Sequence, residues 1–263
     1  MGSQREFAGL AISTFSEREP SLFSSTADDP PWTLTELDES KKTAFEALRN
    51  RIISCRKCPR LIDYILKVSN EKVRRYREWS YWGCPLPGFG DPEARLLVIG
   101  LAPAAHGGNR TGRMFTGDSS GDWLMRALHE TGFANQSESV SVDDGLRLRS
   151  AYITAAVRCA PPGNKPLAEE LMNCSEYLRE EARILTEVET VLTLGRIAFD
   201  AYVRYVLPRT VQRLRFMHGG LYEFGDLPSL FTSYHPSRQN TQTGRLTWEM
   251  WMGVFRKIKQ IMA

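Results

Sequence analysis

The sequence predicts an α/β protein in which helices cover both faces of a parallel sheet. Short continuous apolar runs, typical of buried strands, alternate along the chain with segments of helical periodicity. Parallel neighbours need crossover connections, and those crossovers are usually helices. The predicted strands lie at residues 95–101, 151–157, 190–194 and 229–234.

Helical spacing of apolar residues predicts a first helix at 39–53 and a second, strongly charged helix at 61–79. Residues 1–35 are rich in Ser, Glu, Asp and Pro without a sustained apolar period, so we interpret them as a poorly ordered arm before a folded domain at 36–263. Further helices are predicted at 122–130, 167–186, 196–206 and 246–261.

Composition excludes several classes of protein. The chain of 263 residues is 42% hydrophobic and 25% charged, as expected for a globular protein with one or two cores. Its apolar runs are too short to cross a bilayer and its N-terminus lacks a secretory signal, so we expect an intracellular protein. A net charge of +3 means that binding to nucleic acid would need local basic clusters. Residues 72–77 form one, although such runs are common on solvated helix faces.

Four of the five cysteines suggest a metal site. Cys55 and Cys58 form a C-x-x-C pair, whereas Cys159 and Cys174 are separated by 14 residues. An intracellular chain is not expected to keep disulfides, and two pairs from remote segments suit a tetrahedral thiolate site for zinc or an iron–sulfur cluster. The alternative is that Cys159 and Cys174 are simply buried apolar residues. We expect Cys84 to be an ordinary residue.

The loop between the second pair of cysteines would be held in place by such a site. Cys159 and Cys174 lie on either side of residues 161–166, which include Asn164. A metal bound on both sides would restrain Asn164, as a recognition residue requires. The metal would therefore have a structural role.

A glycine-rich segment, residues 100–118, follows the first predicted strand. Glycines let a backbone approach a ligand and direct N–H groups at it. The segment matches neither G-x-x-x-x-G-K-[ST] nor G-x-G-x-x-G, so a nucleotide cofactor is not indicated. Phe115 is either part of the core or an aromatic face for an extruded base. Because ligands bind beyond the carboxyl ends of parallel strands, the segments after residues 101, 157 and 234 should converge on one site.

Three long motifs carry a family resemblance: GLAPAAHGGNRTGRMFTGD, VRCAPPGNKP and YHPSRQNTQTGRLT. With the cysteine spacing, they make residues 45–260 similar to the type B, or family 5, uracil-DNA glycosylases. The resemblance implies a three-layer α/β/α sandwich around a four-stranded, mainly parallel sheet. It also implies a structural [4Fe-4S] cluster on the four cysteines, which are Cys55, Cys58, Cys159 and Cys174.

The activity that the resemblance implies is the start of base-excision repair by a monofunctional enzyme. Such an enzyme removes uracil, and in several relatives hypoxanthine or other damaged bases, from DNA. His235 matches the histidine that relatives aim at the uracil O2, and Asn164 is our choice for contacting the base edge. The remaining residues expected to contact the substrate are Phe115, Pro103, His106 and Gly107.

Position 102 departs from the wider superfamily, many of whose members carry Asp, Asn or Glu there to activate water. This chain has Ala102. Backbone groups near Ala102, the side chain of His106 or that of Asn109 would then hold the attacking water, and we expect a strongly dissociative mechanism. A missing carboxylate also fits a tolerant pocket.

Residues 238–245 are expected to form a loop that faces duplex DNA. By analogy with the superfamily, Arg238 and Gln239 would fill the gap left by the extruded nucleotide, and Arg245 would contact a phosphate. A U·G pair should be cleaved more readily than a U·A pair because flipping costs least at a mispaired base. We expect a monomer with double-stranded DNA as partner and no membrane contact.

Two alternatives to this function stay open. One is a glycosylase whose main substrate is hypoxanthine or an alkylated base. The other, suggested by the missing carboxylate, is a non-catalytic, metal-stabilised module that binds DNA lesions.

Overall fold

The structure is a computed structural model that describes residues 39–211 and 213–263. The predicted arm at 1–35 lies outside the described residues, and the start of the folded domain at 36 stays a prediction. Within the described part of the chain, no helix is long and apolar enough to span a membrane.

The sheet has six strands in the order β1-β3-β2-β4-β6-β5. The four predicted strands are its centre and pair in parallel, whereas β1 and β5 pair antiparallel at the two edges. The strands are β1 (Phe89–Gly90), β2 (Leu96–Gly100), β3 (Ala151–Ala155), β4 (Thr190–Leu194), β5 (Leu221–Phe224) and β6 (Leu227–Ser233).

The prediction of a four-stranded, mainly parallel sheet was therefore wrong, because the sheet is mixed and has two more strands. β1 is two residues long and lies in a segment rich in Gly and Pro. β5 alternates exposed and half-buried residues. Neither edge strand has the continuous apolar run by which the buried strands were recognised.

The helices agree with the predicted ones except in three places. One is the short helix Gly108–Thr111, which lies within the glycine-rich segment and was not predicted. The charged helix predicted at 61–79 ends at Glu71, where Lys72 adopts a φ of 50° and a single 3-10 turn follows at Arg74–Tyr76. A short helix occupies much of the loop predicted at 238–245. The helices are α1 (Glu39–Ile53), α2 (Pro59–Glu71), α3 (Gly108–Thr111), α4 (Ser119–Glu130), α5 (Ala168–Ile184), α6 (Arg196–Tyr205), α7 (Arg238–Gln242) and α8 (Trp248–Ile261).

Two apolar cores lie on opposite faces of the sheet, as the predicted arrangement of layers requires. Leu96 and Val98 of β2 belong to the core shared with α4 and α8. Their neighbours Leu97 and Ile99 belong to the core shared with α6 and part of α5. Successive side chains of a strand point to opposite faces, so one five-residue strand supplies both cores.

The carboxyl ends of β2, β3, β4 and β6 meet at one edge of the sheet because these strands are parallel. We call this the carboxyl edge. Backbone pairing continues just beyond it, where the N–H groups of Ala156 and Val157 donate to the carbonyl oxygens of Gly100 and Leu101 at 2.9 and 3.0 Å. This edge carries all three segments predicted to form the site.

Candidate functional site

An aromatic pair joins two of the three predicted segments at the carboxyl edge. The rings of Phe115 and His235 lie 6.1 Å apart between centroids, with 28° between their planes. Phe115 lies on the glycine-rich segment after β2, and His235 comes two residues after β6. Phe115 is 8% exposed, whereas His235 is more open to solvent. Phe115 belongs to the core shared with α4 and α8, so the pair joins this core to the imidazole of His235.

Glycines at the ends of two strands make room for this pair. A Cβ atom at Gly100, the last residue of β2, would lie 2.7 Å from the ring of Phe115. Gly195 follows β4 with a φ of 89°, and a Cβ atom there would lie 3.2 Å from that of His235. A larger residue at either position would press on the aromatic pair.

The imidazole of His235 is neutral at pH 7, because burial lowers its pKa to about 4. Its backbone carbonyl accepts a hydrogen bond of 2.8 Å from Nδ2 of Asn240, at the start of the segment that follows β6. A neutral imidazole carries one ring N–H. It can therefore stabilise negative charge that develops on a ligand without first taking up a proton.

The backbone of the glycine-rich segment is compact. Ala102 is half-buried, whereas Pro103 and Gly107 are buried. The N–H groups of Gly107 and Asn109 donate to the carbonyl oxygen of Ala104 at 3.2 and 3.0 Å. These two N–H groups stabilise the turn before α3 and are not directed at a ligand, contrary to what the glycines suggested.

Asn109 is completely buried. Its Nδ2 atom donates to the carbonyl oxygens of Ile65 and Ala105 at 3.3 and 3.4 Å. Among the described residues, its Oδ1 atom has no hydrogen-bond partner. The contact with an attacking water stays a prediction, and this unpaired oxygen is the atom available to make it.

A turn rich in aromatic residues, residues 73–83, packs against the glycine-rich segment. We call it the aromatic turn. The guanidinium of Arg110 lies 3.9 Å from the ring centre of Tyr76 and 4.1 Å from that of Trp79. The hydroxyl of Tyr81 lies 3.1 Å from Nδ1 of His106. The basic residues of this turn were predicted to matter from the sequence, whereas the interleaved Tyr and Trp side chains were a visible signal that went unused.

Asp118 is a second feature that the sequence analysis passed over. Its Oδ1 atom accepts hydrogen bonds of 3.0 Å from the N–H groups of Ser120 and Gly121 and so caps α4. Its Oδ2 atom lies directly beside Gly107. Burial raises the pKa of this carboxyl group. The Asp-Ser-Ser pattern before an apolar helix could have identified the cap, but not its proximity to Gly107.

Asn164 lies on the surface, in the 3-10 turn Pro162–Asn164. It has a φ of 56°, and its backbone N–H donates to the carbonyl oxygen of Pro161 at 3.0 Å. Among the contacts of the described residues, none joins Asn164 to Phe115 or His235. Its proposed role at the base edge therefore stays a prediction.

The residues predicted to face DNA are exposed: Arg238, Gln239 and Arg245. Arg238 and Gln239 begin α7, so the predicted loop is in part a helix. Nε of Arg238 donates to the hydroxyl of Ser119 at 3.3 Å, and the guanidinium of Arg245 lies 4.6 Å from the ring centre of Tyr234. All three side chains are thus accessible on the same segment.

His218 packs against the start of this segment, and its contact with Tyr234 was not predicted from the sequence. Its ring stacks on that of Tyr234 with 5.0 Å between centroids, and its Nδ1 atom accepts the backbone N–H of Tyr234 at 3.2 Å. It lies in the turn before β5, whose pairing with β6 brings it beside residue 234. Because this contact depends on an edge strand that was not predicted, the sequence offered no signal for it.

Three of the four predicted metal ligands lie in one buried apolar cluster, namely Cys58, Cys159 and Cys174. Cys55 packs against a separate cluster, formed by α1 and Tyr177. Burial raises the pKa of the Cys159 thiol, and negative charge on Cys174, Cys55 or Cys58 would raise this pKa further. Within the described residues, however, no set of three or more metal-ligating side chains is arranged to hold a metal ion.

A buried ion pair anchors the loop that begins at Cys159. The Arg158 guanidinium is 1% exposed and contacts the Glu181 carboxylate of α5, which is completely buried. The hydroxyl of Thr154 on β3 also donates to Glu181 at 2.6 Å. These contacts connect β3 to α5 directly before the cysteine. Arg158 and Glu181 are 23 residues apart in sequence, so no local pattern predicted their contact.

Comparison with known proteins places this chain in a family. The family model described as the uracil DNA glycosylase superfamily matches residues 87–257. A type-5 uracil-DNA glycosylase of Thermus thermophilus is 49% identical over 82% of this chain and 97% of that protein. One from Pyrobaculum aerophilum is 48% identical over 81% of this chain and 91% of that protein. One from Mycobacterium bovis is 46% identical, over 81% and 80% respectively.

The chain belongs to the uracil DNA glycosylase superfamily, among its type-5 members. Identity of nearly half over most of both chains confirms the resemblance found in the three motifs. Type-4 uracil-DNA glycosylases are more distant, since one from Sulfurisphaera tokodaii is 27% identical over 58% of this chain.

The superfamily match contains every strand of the sheet and all three segments at the carboxyl edge. Cys55 and Cys58 lie before its first residue, whereas Cys159 and Cys174 lie within it. The superfamily model thus covers the aromatic pair but only half of the cysteine set.

Proposed function

We propose that the protein hydrolyses the N-glycosidic bond between uracil and deoxyribose in DNA and so starts base-excision repair. The observation that carries this proposal is the stacked pair of Phe115 and His235 at the carboxyl edge. The type-5 uracil-DNA glycosylases that resemble the chain over most of its length support it. The protein would act as a monomer inside the cell, on double-stranded DNA of the nucleoid.

The role of the pair follows from the chemistry of the bond. Its cleavage passes through a state that resembles an oxocarbenium ion, while negative charge builds on the departing base. The ring of Phe115 offers a face on which a flipped base can stack. The ring N–H of neutral His235 would then donate to the base oxygen that gains charge.

In this proposal, water is activated without a side-chain carboxylate at position 102, where the chain has Ala102. Backbone groups near Ala102 and the unpaired Oδ1 atom of Asn109 are the candidates for holding the water. The bond to the base would be largely broken before water attacks. The absence of a carboxylate at position 102 also suits larger bases, so we include hypoxanthine and other deaminated or damaged bases among the substrates.

Duplex DNA would approach the segment after β6. Arg238 and Gln239, exposed at the start of α7, would occupy the space vacated by the flipped nucleotide. Arg245, held against the ring of Tyr234, would contact a phosphate. Asn164 would read the base edge, and replacing it with alanine would then alter the preference among bases.

We also propose that Cys55, Cys58, Cys159 and Cys174 hold a [4Fe-4S] cluster. Support comes from the donor chemistry, because three free thiols lie in one buried apolar cluster, and the fourth, Cys55, is the other half of the C-x-x-C pair with Cys58. Iron–sulfur clusters accept four thiolates. The bound cluster would supply structural restraint of the loop that carries Asn164, and no step of the reaction passes through it.

Protein purified without oxygen tests the cluster. We expect a brown protein that contains iron and acid-labile sulfide and loses both when Cys159 or Cys174 is replaced by serine. Cys84→Ser is the matched control and should keep the colour, because this thiol is outside the cysteine cluster. A colourless preparation with stoichiometric zinc would contradict the proposal.

A single-turnover glycosylase assay tests the activity. Duplexes that carry uracil, hypoxanthine or ethenocytosine would be incubated with cluster-loaded protein, and released base would be measured. We expect release of uracil, faster opposite guanine than opposite adenine. Tight binding to uracil DNA without any release would instead favour a lesion-binding module, which the absence of a carboxylate at Ala102 keeps as the second candidate. Faster release of hypoxanthine would make that base the main substrate.

A further inference from the structure

One peptide unit leads the chain from β6 into the aromatic pair. It joins Ser233, the last residue of β6, to Tyr234, the residue before His235. Its carbonyl oxygen accepts the backbone N–H of Gly195 at 2.8 Å, and its N–H donates to Nδ1 of His218 at 3.2 Å. Because a peptide unit is planar, partners at both polar groups fix the orientation of its plane. The path of the chain into His235 therefore depends on these two contacts.

The first partner, Gly195, also packs against His235 itself. A Cβ atom at Gly195 would lie 3.2 Å from Cβ of His235 and 3.8 Å from its backbone nitrogen. The peptide unit and the histidine that follows it thus contact the same glycine. A rotation of the peptide unit would change the position of His235 relative to the ring of Phe115.

The second partner, His218, is held against β6 on both sides of its own position. The backbone N–H of Gly219 donates to the carbonyl oxygen of Thr232 at 2.8 Å, and the hydroxyl of Thr232 donates to the carbonyl oxygen of Met217. The imidazole of His218 stacks on the ring of Tyr234, with 5.0 Å between centroids and 20° between planes. The nitrogen that accepts the peptide N–H is therefore presented by an anchored side chain.

The direction of the hydrogen bond to His218 follows from its donor. A backbone N–H can only donate, so Nδ1 is the acceptor and carries no hydrogen. The hydroxyl of Ser233 also lies 3.2 Å from Nδ1, but it has the carbonyl oxygen of Tyr234 as an acceptor at 3.0 Å and needs no hydrogen from the imidazole. Burial lowers the pKa of His218, so the ring is neutral at pH 7 and has its one hydrogen on Nε2.

We infer that His218 is a positioning residue, whose Nδ1 atom holds the peptide unit before His235 and so keeps the imidazole of His235 in place beside Phe115. None of the other hydrogen bonds of the described residues uses the N–H of Tyr234. Loss of Nδ1 would therefore release one side of the peptide unit. The inference deepens the proposed function and rests on it, because His235 is the proposed donor to the departing base.

Nitrogen NMR of the full chain, labelled with ¹⁵N-histidine, tests the hydrogen bond without reference to activity. The chain has four histidines, and the signals that disappear in His218→Phe belong to His218. We expect a pyridine-type shift for Nδ1 of His218 and a pyrrole-type shift for Nε2. A pyrrole-type Nδ1 in the unmodified protein would overturn the inference.

Two substitutions separate the hydrogen bond from the stacking. His218→Phe keeps an aromatic ring for Tyr234 but has no acceptor, whereas His218→Asn loses the ring but offers Oδ1 at the same number of bonds from the backbone as Nδ1. We expect the ring signals of His235 to shift in His218→Phe and to stay close to their original positions in His218→Asn. His129→Phe, on the exposed face of α4, is the matched control and should leave them unchanged. Unchanged His235 signals in His218→Phe, or equal shifts in both His218 variants, would overturn the inference.

Kinetics provide the second readout. For the uracil duplex, we expect His218→Phe to lower kcat about 10- to 100-fold, since misplacing a reacting group by about 1 Å can cost that much. Affinity for uncleavable uracil DNA should change little, and His218→Asn should recover most of the turnover. Equal losses of turnover and affinity in both variants would show a general structural role and contradict the inference.

Failure of the inference can be told apart from failure of the proposed function. An unmodified protein that releases no base would reject the proposed function. The nitrogen shifts of His218 and the response of His235 to His218→Phe and His218→Asn would still decide whether His218 positions His235.

Discussion

Two segments leave the same edge of the sheet and are built in opposite ways. In the glycine-rich segment after β2, residues 107–111 are all buried, including the polar side chains of Asn109 and Arg110. In the segment after β6, His235 and Pro236 are covered in part or in full, but Arg238 and Gln239 are already exposed. The first segment is packed like a core, whereas the second becomes surface within three residues of the aromatic pair.

The difference lies in what holds each segment. Arg113, 7% exposed, forms a buried ion pair with Asp144 and also donates to Thr116 at 3.0 Å. In the second segment, the side chains of Arg238 and Arg245 are held by one long hydrogen bond and one aromatic contact at the surface. The comparison indicates that the glycine-rich segment proposed to hold the base is preorganised, while the segment proposed to face the duplex is solvated.

The largest expected effect comes from a substitution that destabilises the glycine-rich segment. Asp144→Asn leaves the buried charge of Arg113 without its carboxylate partner and should reduce the free energy of unfolding by about 3–5 kcal/mol. Asp200→Asn, in the exposed pair with Arg196, is the control and should cost less than about 1 kcal/mol. Denaturant unfolding measures both. Equal losses would show that the two ion pairs do not differ as their burial implies.

The next prediction concerns His235, where the two segments meet, and distinguishes a loss of turnover from a loss of binding. His235→Ala should lower kcat about 100- to 1000-fold by removing a donor to the departing base. Affinity for uncleavable uracil DNA should change far less. His129→Ala, on the exposed face of α4, is the matched control. A parallel loss of turnover and affinity would assign His235 a folding role.

The pH dependence of stability tests the burial of the same residue, His235. The pKa of His235 is lowered from 6.5 to about 4, so between these values the unfolded chain binds the proton more readily than the folded one. Stability should therefore fall as the pH falls from about 6.5 to 4, by up to about 3 kcal/mol from this residue. His235→Gln should flatten the profile relative to the unmodified protein. An unchanged slope would contradict the burial of the imidazole.

The smallest effect concerns the solvated segment. Arg245→Gln should change the free energy of unfolding by less than about 1 kcal/mol, since it removes an exposed cation–π contact. It should nevertheless reduce the slope of log K against log salt for DNA binding by about 0.9, the loss of one phosphate contact. Arg196→Gln is the control for a surface charge on α6. If both variants keep the slope, Arg245 does not contact the backbone of DNA.

The predicted parts of the fold were those whose signals are local. The continuous apolar runs located β2, β3, β4 and β6 to within two residues, because buried parallel strands need apolar side chains on both faces. The edge strands β1 and β5 were missed, since neither has a continuous apolar run and each is defined by its pairing with a neighbouring strand. The left-handed backbone at Lys72 that ends α2 was likewise invisible, because such a conformation is rarely adopted by lysine.

The candidate site likewise has a part that the sequence predicted and a part that it did not. The motifs identified Phe115 and His235, and the rule for parallel strands predicted that their segments meet. The contact between Tyr81 and His106 and the stacking of His218 on Tyr234 were not predicted. Both depend on turns that pack against the site from remote positions.

The sequence by itself determined the central strands, the family and the residues at the aromatic pair, because period, motif and spacing are properties of neighbours along the chain. Only the tertiary structure decided which ionisable groups are buried together, as for Arg158 with Glu181 and Arg113 with Asp144. The physical reason is that desolvation and hydrogen-bond partnership depend on distance in space, and segments up to 31 residues apart supply these partners.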